Sequence, residues 1–469
     1  MNILVLNGSP KGKESVTMQY VTYLEKLFPE HRFQVEHVAR NIASLVKNGA
    51  RFEKVMDGVR SSDGVLWAFP LYIMLVCSQY KRFIELIGER KYEKCFSAVY
   101  AASLSTSINF FDVTAHRYIH SVSEDLGMRF TGSYSAHMHD LLKDEERKRF
   151  ELFARDFFTT IETGSMGTKV YSPLQCRTAP LDLKAPTRKT QVGPRKVVIL
   201  TDTLNEQNLT QMVERFKNSL EGDISVYDLY DLDIAGGCQG CLRCGAEYRC
   251  AYTGKDGFSD FYNTVLRSAD IIVFAGGIRA RQLSWKWRQF FDRSFFNTHT
   301  PSLTGKQIAF LISGPFSRLP DMRLVYEAWV EFQQSNLAGF VSDEGGSTEV
   351  EAALDGLARR LVRLSEEGYI GPRTFLSVGG MKIFRDDIWG GLRIIFRGDH
   401  RAYKRSGVYD FPHRKILRRI LVSAAYAITG LPAIQRKLGL VMKSRMTAPY
   451  KKVIRKAERP ARLKPAETP

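Results

Sequence analysis

The chain has 469 residues, of which 44% are hydrophobic and 12% aromatic, enough to bury several cores without disulfide staples. Only seven cysteines are present, and Met1-Asn2 runs directly into Ile3-Leu4-Val5-Leu6, which argues against a secreted disulfide scaffold and a signal peptide; a cytoplasmic chain with reduced thiols is expected. Of the net charge of +18, residues 371–469 carry +17, with 23 Lys/Arg against 6 Asp/Glu, so the first 370 residues are nearly neutral.

In chain order, NILVLNGSP (2–10) predicts a strand and about 15–28 a helix. Between them lies NGSPKGKESVT (7–17). Gly8 and Gly12 permit tight turns, Ser9, Ser15 and Thr17 offer hydroxyls, and Lys11 and Lys13 offer charge. A polar loop that opens a helix favours a phosphate. The G-x4-G-K-[ST] and G-x-G-x-x-G patterns are both absent. SSDGVLWAFPLYIMLVCSQYKRFIEL (61–86) predicts a buried strand, a loop and an amphipathic helix. A further strand is expected at about 95–101, then a loop, AASLSTSINFFD (101–112). Two histidine pairs follow, His116 with His120 and His137 with His139. They fit rim positions better than a metal site. His116 and Tyr72 are the catalytic candidates.

Residues 164–195 read as a linker, with Pro173, Pro180, Pro186 and Pro194 and no apolar period. Then the pattern repeats. Residues 267–294 align on the 61–86 stretch at a constant offset of 207, matching Asp63 with Asp270, Lys81 with Arg288 and Glu85 with Asp292. KVVILTDTL (196–204) matches the opening strand. Two β-α units predict two parallel sheets, each covered by helices on both faces. In the second unit Asp202 stands at the glycine position and Glu206 adds a carboxylate. Both would repel a phosphate. After its second strand comes CQGCLRCGAEYRC, with Cys238, Cys241, Cys244 and Cys250, and with Gly237, Gly240 and Gly245 to let the loop wrap closely. Zinc favours two separated C-x2-C knuckles. The compact run suits a [4Fe–4S] cluster better. A reduced or redox-active thiol loop is the third reading.

The NGSPK turn with Ser-x-Thr at the helix start, and FPLY (69–72) before YKRFIE, resemble the NAD(P)H-dependent FMN reductases of the flavodoxin-like fold. The likeness covers about residues 1–160. It implies two doubly wound sheets of order 2-1-3-4-5, bound FMN, and NAD(P)H as possible co-substrate. It also assigns Ser9, Lys11, Ser15 and Thr17 to the phosphate, and Pro70, Leu71, Tyr72, Ile73 and Ser103, Leu104, Ser105, Thr106 to the ring. The cysteine loop over about 195–345 resembles that of the iron-sulfur flavoproteins, a subgroup of the same family. The expected domains are 1–163, which binds FMN, 196–370, with the cysteine loop, and a basic extension, 371–469.

The extension holds ILVSAAYAITGLPAIQ (420–435), too short and interrupted to span a bilayer. Its basic flanks suit an anionic membrane surface or an acidic electron-carrier protein better than nucleic acid. The expected function is a flavin-dependent oxidoreductase. It would pass electrons from NAD(P)H or a ferredoxin-like donor to a small acceptor such as a quinone or nitro compound. The rival is a noncatalytic electron-transfer or redox-sensing module tethered by its tail. Oligomeric state is left open.

Overall fold

The computed structural model describes residues 1–174, 179–202, 206–409 and 416–429, with positions 434 and 450. Residues 1–406 form one compact unit and residues 407–469 another. Cys176 and the flanks Arg414 and Lys415 lie outside the described residues.

The first sheet contains β1 (Asn2–Asn7), β2 (Arg32–Glu36), β3 (Gly64–Pro70), β4 (Tyr100–Ser107) and β5 (Arg129–His137), in the order β2-β1-β3-β4-β5. The second contains β6 (Thr190–Thr201), β7 (Leu220–Asp228), β8 (Ile271–Arg279), the short β9 (Gln282–Leu283), β10 (Gln307–Ser313) and β11 (Asn336–Ser342). Its order is β7-β6-β8-β10-β11, with β9 paired antiparallel to β8. Both sheets therefore read 2-1-3-4-5, and the pairs that define this order are parallel. Central strands such as β3 and β10 are buried along their full length, as a sheet covered on both faces requires.

The internal offset holds at the level of register. Gly64 pairs Tyr100 and Tyr100 pairs Arg129; exactly 207 residues on, Ile271 pairs Gln307 and Gln307 pairs Asn336. Both sheets also slip register at the same place, after Ala101 and after Ile308. Asp63 accepts a hydrogen bond from Asn2 N–H (2.7 Å), and Asp270 accepts one from Lys196 N–H (2.9 Å).

Two boundaries differ from expectation. β6 begins at Thr190 rather than 196, because the strand pairs β7 through Thr190 and Gln191, then breaks register around Gly193. The compact unit also runs to Ser406 rather than 370. Asp399 explains the second difference. It is fully buried and accepts hydrogen bonds from the Thr298 and Thr300 hydroxyls (2.6 and 2.7 Å) and from His299 N–H (3.2 Å). The segment after 370 thus completes the second half's core, despite its basic composition.

The halves meet through the helices Ser78–Glu89 and Trp285–Ser294, equivalent under the same offset. Cys77, at the start of the first helix, provides no side-chain cap. Asp292 of the other helix supplies it, accepting from Ser78 N–H at 2.6 Å. In return Glu85 accepts from Trp285 N–H at 2.8 Å. Each carboxylate is paired within its own helix, Glu85 with Lys81 (2.6 Å) and Asp292 with Arg288 (2.5 Å). All four side chains are buried. Burial pulls Lys81 below its ordinary value and pushes Glu85 and Asp292 above theirs, while the ion pairs oppose this.

Removing one carboxylate strands a buried cation and an amide of the partner helix. Asp292→Ala or Glu85→Ala is expected to cost about 3–5 kcal/mol. The check is the urea unfolding midpoint of each variant against the parent chain.

Candidate functional site

The loop after β1 is held from below by Asn7. Its Oδ1 accepts from Ser9 N–H (2.9 Å), and its Nδ2 donates to Gly12 O (3.3 Å) and contacts His37 Nδ1 (2.7 Å). Gly12 has φ +63, and a Cβ there would meet Arg40 at 2.8 Å. Arg40 lies across the loop and donates to Lys11 O at 3.3 Å. No sequence signal singled it out, because it follows β2 and reaches the loop only through the fold. Ser15 caps the helix Val16–Leu27, accepting from Met18 N–H at 3.2 Å. Thr17 Oγ1 lies 2.6 Å from Thr106 Oγ1 and ties the helix start to the end of β4. Ser9, Ser15, Thr17 and Thr106 are all buried.

The fold therefore gathers Ser9, Ser15, Thr17 and Thr106 at one helix N-terminus, with Lys11 and Arg40 beside them. Their chemistry fits a phosphate. The hydroxyl contacts within the loop are ones that phosphate oxygens can take over.

The ring candidates divide. Ser103, Leu104, Ser105 and Thr106 are strand residues, not loop residues, because β4 extends to Ser107. Alternation sends their side chains to opposite faces. Ser103 Oγ and Ser105 Oγ clasp the two nitrogens of His116 at 2.7 and 2.8 Å. His116 is buried, and burial lowers its pKa to about 4. It is a neutral imidazole with both nitrogens bonded to strand serines. His120 bonds Glu124 (3.0 Å) and stacks on Phe130, while His137 and His139 lie together with ring centroids 5.6 Å apart. Pro70 ends β3, and Leu71 packs on the core. Ile73 and Tyr72 face the second half, in a cavity shared with Phe295, His299 and Phe384.

In the second half the carboxylates are internally satisfied. Asp202 accepts from Ser284 Oγ and from Gly277 N–H (3.3 Å). Glu206 pairs Arg279 at 2.5 Å, and Asp343 accepts from Ser313 Oγ and Gly314 N–H, each at 2.8 Å. These carboxyl groups, bonded to their own neighbours, occupy the equivalent crevice where the first half has hydroxyls.

Cys238, Cys241, Cys244 and Cys250 line one cavity together with Tyr72 of the first half. Burial raises the pKa of Cys244 to about 12 and that of Cys238 further still; neighbouring thiols add to both shifts. Among the described residues, no three His, Cys, Asp or Glu side chains converge on a single metal ion. The cavity these thiols line is small, about 40 Å³, and Cys241 is exposed. Beside it, a groove of about 1030 Å³ separates the phosphate loop from the cysteine loop. Lys11, Arg40, Lys47, Arg82 and Lys286 line it against the single carboxylate of Glu14.

Residues 1–139 match the family model of NADPH-dependent FMN reductase, which aligns the first half with an oxidoreductase family. Among solved structures, FerB, a flavoenzyme NAD(P)H:(acceptor) oxidoreductase from Paracoccus denitrificans, shares 18% identity over 34% of this chain and 97% of its own, with a TM-score of 0.29. General stress protein 14 of Treponema denticola, in complex with FMN, shares 13% over 35% and 99%, with a TM-score of 0.26. An FMN-dependent NADH-azoreductase from Bacillus anthracis shares 12% over 33% and 99%, with a TM-score of 0.25. No curated protein matches the chain.

Burial pushes the Asp202 carboxyl up to about 7, against its hydrogen bonds. The unfolded chain releases that proton near pH 3.9. The folded state therefore binds it more tightly, and stability falls as pH rises from about 4 to about 7. Asp202→Asn is expected to remove this slope, gaining up to about 4 kcal/mol on the parent across that window. Urea midpoints of both chains at pH 4, 5.5 and 7 supply the difference.

Proposed function

We propose that this chain is an FMN-dependent oxidoreductase whose first half holds the flavin. The observation that carries this reading is the buried hydroxyl cluster of Ser9, Ser15, Thr17 and Thr106 at the N-terminus of Val16–Leu27, within the stretch that matches the FMN reductases. FMN, when bound, accepts a hydride and can release its electrons singly. Ser9, Ser15 and Thr17 hold its phosphate, with Lys11 and Arg40 neutralising charge. Tyr72 and Ile73 border the ring end. The cationic groove suits the phosphates of NAD(P)H, and its width admits a small acceptor such as a quinone or nitro compound. The carboxylates of the second half exclude a second flavin.

The cysteine loop is read as the holder of a [4Fe–4S] cluster, with Cys238, Cys241, Cys244 and Cys250 as ligands. Four thiols at C-x2-C-x2-C-x5-C spacing that line one cavity support this reading. The second half is read as a second flavodoxin-like copy, on the shared strand order and register.

The tail is read as a peripheral contact for an anionic membrane. Its helix Ile416–Thr429 exposes Leu417 (78%) and Tyr426 (80%), and no described helix is long and apolar enough to cross a membrane. An acidic carrier protein is the other partner that the charge suits.

One FMN per chain is expected, lost in Ser9→Ala/Lys11→Ala and retained in Asp202→Ala; flavin absorbance of the purified chains decides. NAD(P)H oxidation with a quinone distinguishes the enzyme from a noncatalytic redox module. Sedimentation of the full chain with anionic vesicles is expected to fall as salt rises from 0.1 to about 1 M, where the Debye length drops to about 3 Å. Salt-insensitive binding would oppose the electrostatic reading.

A further inference from the structure

The segment that completes the second half's core contains a turn whose residues divide between inside and outside. The helix Phe375–Trp389 ends at Gly390, the short turn Leu392–Ile394 follows, and the helix Arg397–Ser406 begins soon after. Phe396 is buried against His299, with ring centroids 4.7 Å apart. The two residues before that anchor face outward: Ile394 is 79% exposed and Ile395 40%. The turn lies on the cysteine loop. A Cβ at Gly245 would stand 2.6 Å from Ile395 O, and Arg401 donates to Ala246 O at 2.7 Å. Leu242, whose carbonyl accepts from Gly245 N–H at 3.0 Å, is exposed on the same loop. Leu242 also lines the groove between the cysteine loop and the phosphate loop, so the apolar tip stands beside that groove.

Protruding isoleucines in a turn call for a partner, and the surrounding charge says which kind. Residues 390–406 hold five cations, Arg393, Arg397, Arg401, Lys404 and Arg405, against one carboxylate, Asp399. All five cations are exposed, whereas Asp399 is buried and bonded inward. Burial lowers the pKa of His400, and Lys404 and Arg393 add to the shift, which marks these cations as neighbours on one surface. Whatever covers the tip is therefore anionic. Residues 407–469 of the chain do not qualify, with 15 Lys/Arg against 3 Asp/Glu. An acidic protein would match the arginines but would need a pocket for each protruding side chain. An anionic bilayer meets both demands at once: isoleucines enter the acyl boundary, and arginines reach the headgroup phosphates.

We propose that Leu242, Ile394 and Ile395, framed by Arg243, Arg393 and Arg397, form a bilayer-docking face of the compact unit, and that the groove beside it takes a lipid-borne quinone. This face is separate from the helix Ile416–Thr429. The acceptor rests on the oxidoreductase reading above; the docking face does not. The reaction balances as NAD(P)H, one proton and the quinone giving NAD(P)+ and the quinol. Two electrons leave the nicotinamide with one proton, as hydride, and water supplies the second proton. A long-tailed quinone partitions into the bilayer, so a groove held at the lipid surface meets it where it is concentrated.

The test uses the full chain and vesicles of phosphatidylcholine with phosphatidylglycerol. Hydrogen exchange read by mass spectrometry is expected to show protection of residues 390–397 and of the cysteine loop on vesicle binding, and none with phosphatidylcholine alone. Protection confined to 416–429 overturns the face and leaves the tail as the contact. Protection of 390–397 by an acidic ferredoxin but not by the vesicles overturns the bilayer in favour of a protein partner. Arg393→Gln/Arg397→Gln is expected to weaken vesicle binding about tenfold or more. Ile394→Gln, at a side chain the core does not use, is expected to weaken it with an unchanged urea midpoint. Unchanged affinity in both variants overturns the face. With NAD(P)H, kcat/KM for a long-tailed quinone in vesicles is expected to fall in these variants while that for a short-chain, water-soluble quinone holds. Equal losses for the two quinones overturn the lipid-borne acceptor. A parent chain that oxidises NAD(P)H with neither quinone overturns the acceptor together with the oxidoreductase reading, and the exchange pattern then decides the face by itself.

Discussion

Everything in the compact unit depends on the exchange of caps between the helices Ser78–Glu89 and Trp285–Ser294. Each helix start lies in the interior, away from water, and an unpaired amide there is costly. Each is satisfied by a carboxylate from the opposite helix, which is neutralised by a cation one turn back. The helix Trp285–Ser294 has a further cap from its own half, Ser284 Oγ accepting from Trp287 N–H at 3.4 Å, whereas Cys77 gives Ser78–Glu89 none. A buried charge network of this kind specifies one docking geometry, because an alternative registry leaves charges unpaired. That geometry lays Tyr72 against Gly240 and aligns the phosphate loop with the cysteine loop across the groove.

The frame is symmetric and its contents are not. Strand order, register and even the register slip recur at the same offset. The crevices at the sheet edges have diverged. The first gathers hydroxyls and cations at a helix start. The second contains Asp202, Glu206 and Asp343, each bonded to its own neighbours. Where the first half has a short helix, Ile42–Lys47, after its second strand, the second half carries the cysteine loop.

Much of the architecture was legible in the sequence because strands β3 to β5 and their counterparts keep one spacing, and because Lys81/Glu85 and Arg288/Asp292 sit at matching positions. The NGSPK turn and the four cysteines were equally readable, being local. What escaped were consequences of tertiary placement. SLSTS reads as loop by its polarity, yet β4 runs through it because His116 gives its serines buried partners. The phenol of Tyr72 points across the interface, which no local pattern encodes. Arg40 reaches the phosphate loop from another strand end. The basic composition after residue 370 masked Asp399, a single buried carboxylate that binds this segment to the core.

The segment joining the halves has a further consequence. Its Val170 and Tyr171 amides are held by Glu124, and Ser172 O accepts from Arg281 at 2.6 Å. Two separate chains meeting through the same helices would part on dilution, and the groove between them would vanish. Here the encounter is intramolecular, at an effective concentration on the order of millimolar. The groove therefore persists however scarce the protein is, and the pairing of one phosphate loop with one cysteine loop is fixed when the chain is made.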